Sequence, residues 1–151
     1  MKIVKIAQND FNEWLDLALK LWPDYSSDEM QEILTEILDS DREAAFIVRD
    51  DLGKAIAFMN LSLRYEYVPE ATQSPVGYIE GIYVKDEYRD RGVGKAMVEY
   101  AEQWALAQGC IELASDALVE NTASHEFHTK TGFREAERTV YFIKSINLLQ
   151  K

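Results

Sequence analysis

The sequence is short of several things, and each shortage excludes something. Cys110 is the only cysteine, so neither a disulfide framework nor a cysteine-based metal site is possible. Two histidines, His125 and His128, are all the chain carries, and two alone do not argue for a metal. No apolar run is long enough to span a membrane, and the opening MKIVKIAQND turns polar too soon for a signal peptide. The cytoplasm is therefore the expected compartment. Positive charge is scarce as well, with 16 basic residues against 27 acidic ones and a formal net charge of −11. Such a surface repels nucleic acid and anionic membranes and draws in cations.

Repeats, low-complexity tracts and linkers are also missing. What remains is 151 residues, 47% of them hydrophobic, which fits one domain over residues 1–151 with a real core. Ile3 and Ile6 mark a first strand. Asn9 or Asp10 caps a helix with Phe11, Trp14, Leu15, Ala18, Leu19 and Trp22 at helical spacing, and Pro23 ends it. Ser26 and Glu29 form a capping-box pattern before a second helix carrying Met30, Ile33, Leu34, Ile37 and Leu38. Strands follow over 44–48 and 54–65, joined by the turn Asp50-Asp51-Leu52-Gly53. A polar loop over 65–75 precedes a strand with Tyr78, Ile79, Ile82, Tyr83 and Val84. A helix over 95–108, a strand over 111–115 and a helix over 121–130 come next, and one or two last strands are expected within 133–144. This order predicts an α/β (α+β) domain whose mixed, mostly antiparallel sheet is flanked by helices.

The stretch Gly77–Met97, GYIEGIYVKDEYRDRGVGKAM, organises the rest. A strand passes through a charged turn and enters a helix at Gly92 and Gly94. Glycines there let the backbone approach an anion closely, and the first N–H groups of the helix point at it. An ordinary helix start, with glycines for packing, would look the same. The spacing Arg89-x-x-Gly92-x-Gly94 fits neither a Walker loop nor a dinucleotide fingerprint. It resembles the acyl-CoA pyrophosphate loop of the GCN5-related N-acetyltransferases (GNAT). Downstream, Asn121, a helix and then Gly132-Phe133 resemble the late motif of that family.

The segments LWPDYSSDE, SLRYEYV, SPVGYIEGIYV, ELASDA and GFREAERTVYF look like the short aminoglycoside 6′-N-acetyltransferases, over nearly the whole chain. The resemblance implies a single-domain GNAT fold and transfer of acetyl from acetyl-CoA, with no metal, to the 6′-amine of an antibiotic. It implies contacts of the cofactor with backbone groups near Ile82, Tyr83 and Val84, with Asp90, Arg91, Gly92, Val93, Gly94 and Lys95, and with Asn121. It implies a drug pocket lined by Trp22, Tyr67, Glu80, Asp116 and Glu137. Asn121 also has the makings of a helix N-cap. Homodimers are frequent among such enzymes, and the apolar end TVYFIKSINLL offers a sheet edge or interface.

The residues themselves suit a polycationic sugar, which needs carboxylate acceptors and aromatic faces. Glu80 interrupts an apolar strand, where a carboxylate is costly unless it is partnered or opens on a cleft. It is the candidate general base, acting through water with a pKa raised by a crowded acidic pocket; it could instead pair with an arginine across the sheet. Asp116 reads as a pocket residue or a cap. Glu137 could form surface ion pairs with Arg134 or Arg138. Trp22 reads equally as the last core residue of its helix, and Tyr67 as an exposed loop tyrosine. For the acid that protonates the departing thiolate, His128 stands where many relatives carry tyrosine, and Tyr141 is a second candidate. A polyamine or protein amine as acceptor, or a binding module without catalysis, remain the competing readings.

Overall fold

The computed structural model describes residues 1–147. Five strands form one sheet in sequence order: β1 (Lys2–Lys5), β2 (Glu43–Arg49), β3 (Ala55–Arg64), β4 (Val76–Val84) and β5 (Leu113–Ser115). The first four pair antiparallel, and β5 joins β4 in parallel. Helices α1 (Phe11–Leu21) and α2 (Ser27–Asp39) link β1 to β2, α3 (Val93–Ala107) makes the crossover from β4 to β5, and α4 (Thr122–Lys130) follows β5. The capping box before α2 forms as its spacing predicts, with Ser26 Oγ accepting from the Glu29 amide and Glu29 accepting from the Ser26 amide.

Alternation along the strands sorts the core into two layers. Phe46, Val48, Met59, Leu61 and Ile79 pack with Met97, Val98 and Ala101 of α3. Ala45, Ile47 and Phe58 pack with Trp14, Leu17 and Ala18 of α1 and with Met30, Leu34 and Ile37 of α2. Each fully buried large side chain contributes about 1.5–3 kcal/mol to this sandwich. On the α3 face, a Cβ on Gly77 would come within 2.7 Å of the Ala105 Cβ, so glycine lets the helix lie close to β4.

Two irregularities shape the middle of the sheet. Asn60 pairs with Gly81, yet Leu61 pairs with Ile79, so Glu80 is the extra residue of a bulge in β4. A bulge re-aims the side chain at that point and breaks the pleat. The second lies on the other edge of β4. Pairing with β5 stops at Ile79–Ser115, while β4 continues to Val84 against β3 alone. The outer edge of β4 from Glu80 onward therefore has no strand beside it among the described residues.

One expectation fails. No strand forms over 133–144: among the described residues the chain beyond Phe133 joins no sheet. Val140, Tyr141, Phe142, Ile143 and Ile146 are all at least 75% exposed. The apolar run Val140–Ile143 is of strand-forming composition, but a strand needs a partner edge to pair with, and among the described residues this segment pairs with none.

The helix-to-sheet join at the bulge rests on one buried hydrogen bond, from Trp14 Nε1–H to Asn60 Oδ1 at 3.1 Å. Asn60→Ala would leave that indole N–H buried with no acceptor, at about 1–3 kcal/mol. Urea denaturation should show this loss; an unchanged midpoint would mean that the bond contributes nothing to stability.

Candidate functional site

Asn60, Ser62 and Arg64 alternate along β3, and their polar stripe meets Glu80 across the bulge. Arg64 Nε donates to Glu80 Oε2 at 2.8 Å, its Nη2 donates to Oε1 at 2.7 Å, and the Ser62 hydroxyl donates to Oε2. The guanidinium also lies 3.5 Å from the centre of the Tyr78 ring, and the Tyr78 hydroxyl donates to Asp116 Oδ2. Two carboxylates singled out in the sequence, Glu80 and Asp116, are thus joined through two residues that were not, Arg64 and Tyr78. The signal for Arg64 was available: it continues the two-residue period of Asn60 and Ser62 on a strand otherwise filled by apolar residues.

The pairing reverses the expected titration of Glu80. Burial pushes its carboxyl pKa up, but the Arg64 and Ser62 hydrogen bonds and the Arg64 charge outweigh burial, so the net shift is downward. Glu80 is therefore held ionised by a partner across the sheet rather than raised by neighbouring acids. For Tyr78 the direction is upward, through burial first and then its hydrogen bond to Asp116, so it stays a neutral donor.

Trp22 closes α1 and packs on this region from one side. A Cβ on Gly81 would overlap its ring, and the ring meets Phe58 edge-on at 5.9 Å. Trp22 is thus half-buried against Gly81, the residue that follows Glu80 on β4. Tyr67 stands in the loop between β3 and β4 and is 78% exposed. Glu137 and Tyr141 lie in the tail beyond Phe133, outside the cluster. Glu137 accepts from Thr139, while Arg134 pairs with Glu70 and Arg138 with Glu135. The surface ion pairs envisaged for Glu137 do not form.

Beyond Val84 the chain turns into α3. Asp90 (φ 61°) and Gly92 (φ 81°) both adopt the left-handed conformation, and Gly92 is the N-cap of the helix. The first amides of a helix have no intrahelical acceptor, so those of Val93, Gly94 and Lys95 are oriented for an anion. Side chains fit that role: Val93 is buried, Lys95 is exposed, and Gly94 lies under the Phe127 ring, where a Cβ would clash. Arg91 lies over the Tyr88 ring at 5.7 Å. The backbone edge at Ile82, Tyr83 and Val84 leads from this turn back to Glu80, and Arg89 donates to the Val84 carbonyl at 2.8 Å. A diphosphate with a long, amide-bearing arm fits this arrangement, its anion on the turn and its arm along the unpaired edge.

On α4, Asn121 is the N-cap, its Oδ1 accepting from the Ser124 amide at 3.2 Å. His125 Nε2–H donates to the Leu118 carbonyl at 2.9 Å. His128 points the other way, with Nε2 2.8 Å from Ser115 Oγ, the last paired residue of β5. Ser115 is a third residue, after Arg64 and Tyr78, that was not singled out in the sequence. No group of three or more metal-ligating side chains occurs among the described residues. A hollow of about 330 Å³ between α3, β5 and Phe133 lies apart from the carboxylates.

Removing the Arg64 charge should release the Glu80 carboxyl to the upward pull of burial. In Arg64→Gln, the Glu80 side-chain carbon, followed by ¹³C NMR, should titrate at higher pH than in the parent. Titration at the same or lower pH would show that Arg64 does not control it.

A family model of the acetyltransferases (GNAT) matches residues 9–133. An aminoglycoside N(6′)-acetyltransferase type 1 of Acinetobacter genomosp. 13 is 40% identical over 146 residues, covering 97% of this chain and 99% of the relative. Among solved structures, the apo aminoglycoside 6′-N-acetyltransferase AAC(6′)-IG of Acinetobacter haemolyticus superposes with a TM-score of 0.91 at 37% identity, over 97% of this chain and all of that one. AAC(6′)-Iy in complex with the bisubstrate analogue CoA-S-monomethyl-acetylneamine gives 0.90 at 36% identity, over 96% and 98%. With the glycine turn, the split between β4 and β5 and these full-length likenesses together, the chain belongs to the acetyltransferase (GNAT) family.

Proposed function

We propose that this chain is an aminoglycoside 6′-N-acetyltransferase, transferring acetyl from acetyl-CoA to the 6′-amine of the drug. The observation that carries the reading is the position of Glu80: an ionised carboxylate on a bulge, at the point where β4 parts from β5. The full-length similarity to enzymes of that name supports the substrate class. One domain over 1–151 acts in the cytoplasm, where acetyl-CoA is available; no helix among the described residues is long and apolar enough to cross a membrane.

Acetyl-CoA supplies the acyl group. Its diphosphate is held by the amides of Gly92–Lys95, with Asp90 and Arg91 shaping the turn, and its arm by the β4 edge at Ile82–Val84 and by Asn121. The backbone N–H groups on that edge stabilise the oxyanion as the amine attacks. Trp22, Tyr67, Glu80 and Asp116 hold the aminoglycoside. Glu80, ionised, orients the amine and takes its proton through water, and a carboxylate of lowered pKa does this by position more than by basicity. His128 supplies the acid side.

The test is thiol release from acetyl-CoA with two matched aminoglycosides, one bearing a 6′-amine and the other a 6′-hydroxyl. Release with the amine alone, reduced about 10²-fold or more in Glu80→Ala, is the expected result. Release with spermidine and with neither drug would overturn the substrate assignment, and no release with any acceptor would overturn the enzyme.

We also propose that the protein works as a homodimer. The exposed apolar tail from Val140 to Ile146 matches the outer edge of β5, which no strand covers among the described residues, and an exchanged tail would bring Glu137 and Tyr141 of the partner subunit toward the site. Sedimentation should give a dimer for the parent and a monomer for Phe142→Glu. A monomeric parent at micromolar concentration would refute the dimer.

A further inference from the structure

His128 sits on α4 in a fixed orientation. Its ring makes edge contacts with Phe127 at 5.6 Å and Phe133 at 5.1 Å, and the Phe133 amide donates to the His128 carbonyl at 2.9 Å. Nδ1 lies 2.7 Å from the Ser124 carbonyl oxygen. A carbonyl can only accept, so Nδ1 carries a hydrogen in either charge state. In neutral His128 the other nitrogen, Nε2, is then bare and accepts the hydrogen of the Ser115 hydroxyl at 2.8 Å. When His128 is protonated the bond reverses: Nε2–H donates to Ser115 Oγ, and the serine hydrogen turns to another acceptor.

That other acceptor is set by the sheet. Ser115 is the last residue of β5 to pair with β4, so its hydroxyl stands where the two strands part, opposite Ile79 and one residue before Glu80. From Val84, beside the glycine turn, back to Glu80 is four residues of strand, about 13 Å. A thioester arm laid along that edge from the turn brings its reacting end to Ser115. His128 cannot reach the same place directly, because Nε2 already faces Ser115 and both phenylalanines hold the ring.

We propose that Ser115 is a catalytic residue of the transfer reaction, relaying a proton from the His128 imidazolium to the departing sulfur; this rests on the function proposed above. As the acyl carbon–sulfur bond breaks, its electron pair stays on sulfur, which takes the hydrogen of Ser115 Oγ. Oγ takes the hydrogen of His128 Nε2. The products are a free thiol, an unchanged Ser115 and neutral His128 with Nδ1–H still on the Ser124 carbonyl. His128 regains its proton from solvent before the next turnover, and the amine proton leaves separately on the Glu80 side.

Single-turnover rates at saturating acetyl-CoA and 6′-amine drug, with acetyl-CoA affinity measured by calorimetry, test the relay. Ser115→Ala should slow the step about 10²-fold or more with affinity unchanged, and Ser115→Thr, which keeps a hydroxyl, should restore most of the rate. His128→Gln should cost about as much, and the double variant little more than either single one, because both break one path. A Ser115→Ala rate within threefold of the parent, effects of the two variants that multiply, or a loss confined to affinity would overturn it. An inactive parent would instead defeat the function proposed above. Should Ser115→Ala fail to fold, the pair Ser115→Thr and His128→Gln still decides: a slow threonine variant or a fast glutamine variant would refute the relay.

Discussion

The structure turns on how α1 is fastened across the bulge. At one end of the helix, Trp14 donates to buried Asn60; at the other, Trp22 lies on Gly81, the strand partner of Asn60. The two indoles hold β3 and β4 in a register with one residue to spare, and that residue is Glu80. Had the strands run in step, the pleat would have continued and the carboxylate would have taken its place in the ordinary alternation. Packing on one face of the sheet thereby fixes the chemistry at its edge.

The polar network downstream depends on that placement. Arg64 lies against the Tyr78 ring and grips Glu80 with two hydrogen bonds, while Tyr78 holds Asp116. Planar guanidinium suits both tasks at once, stacking on one neighbour and forking onto another, which an ammonium group would not do. The result is a site of defined charge: two carboxylates against one fixed cation. On the other side of the split, α4 is anchored by its Asn121 cap and by Phe127 against Gly94, so His128 and the glycine turn are set by neighbouring contacts.

Most of the fold was legible because long, periodic segments carry it. The capping box at Ser26, the helix from Phe11, and the strands flanking Gly53 all follow from local spacing. The glycine turn was legible for the same reason, since Gly92 occupies a left-handed conformation that other residues resist. Glu80 could be located in the sequence, but the direction of its pKa could not, because Arg64 approaches it from another strand. Ser115 was invisible: only the placing of α4 over β5 brings a histidine to it. The tail misled for a physical reason, since an apolar, strand-forming run does not state which edge it joins.

The guanidinium at Glu80 has a consequence for how the site treats charge. The chain as a whole carries a net −11, yet the cluster of Glu80, Asp116 and Arg64 sums to a single negative charge. A cation entering there meets a carboxylate that already has a counterion. It must displace or share that counterion, so binding is an exchange of partners and not a simple neutralisation. A guest with one charge gains little from such a trade, whereas one with several, reaching Glu80 and Asp116 together, gains where the resident arginine holds only one of them. The site behaves as an ion exchanger whose resident ion is covalently part of the chain.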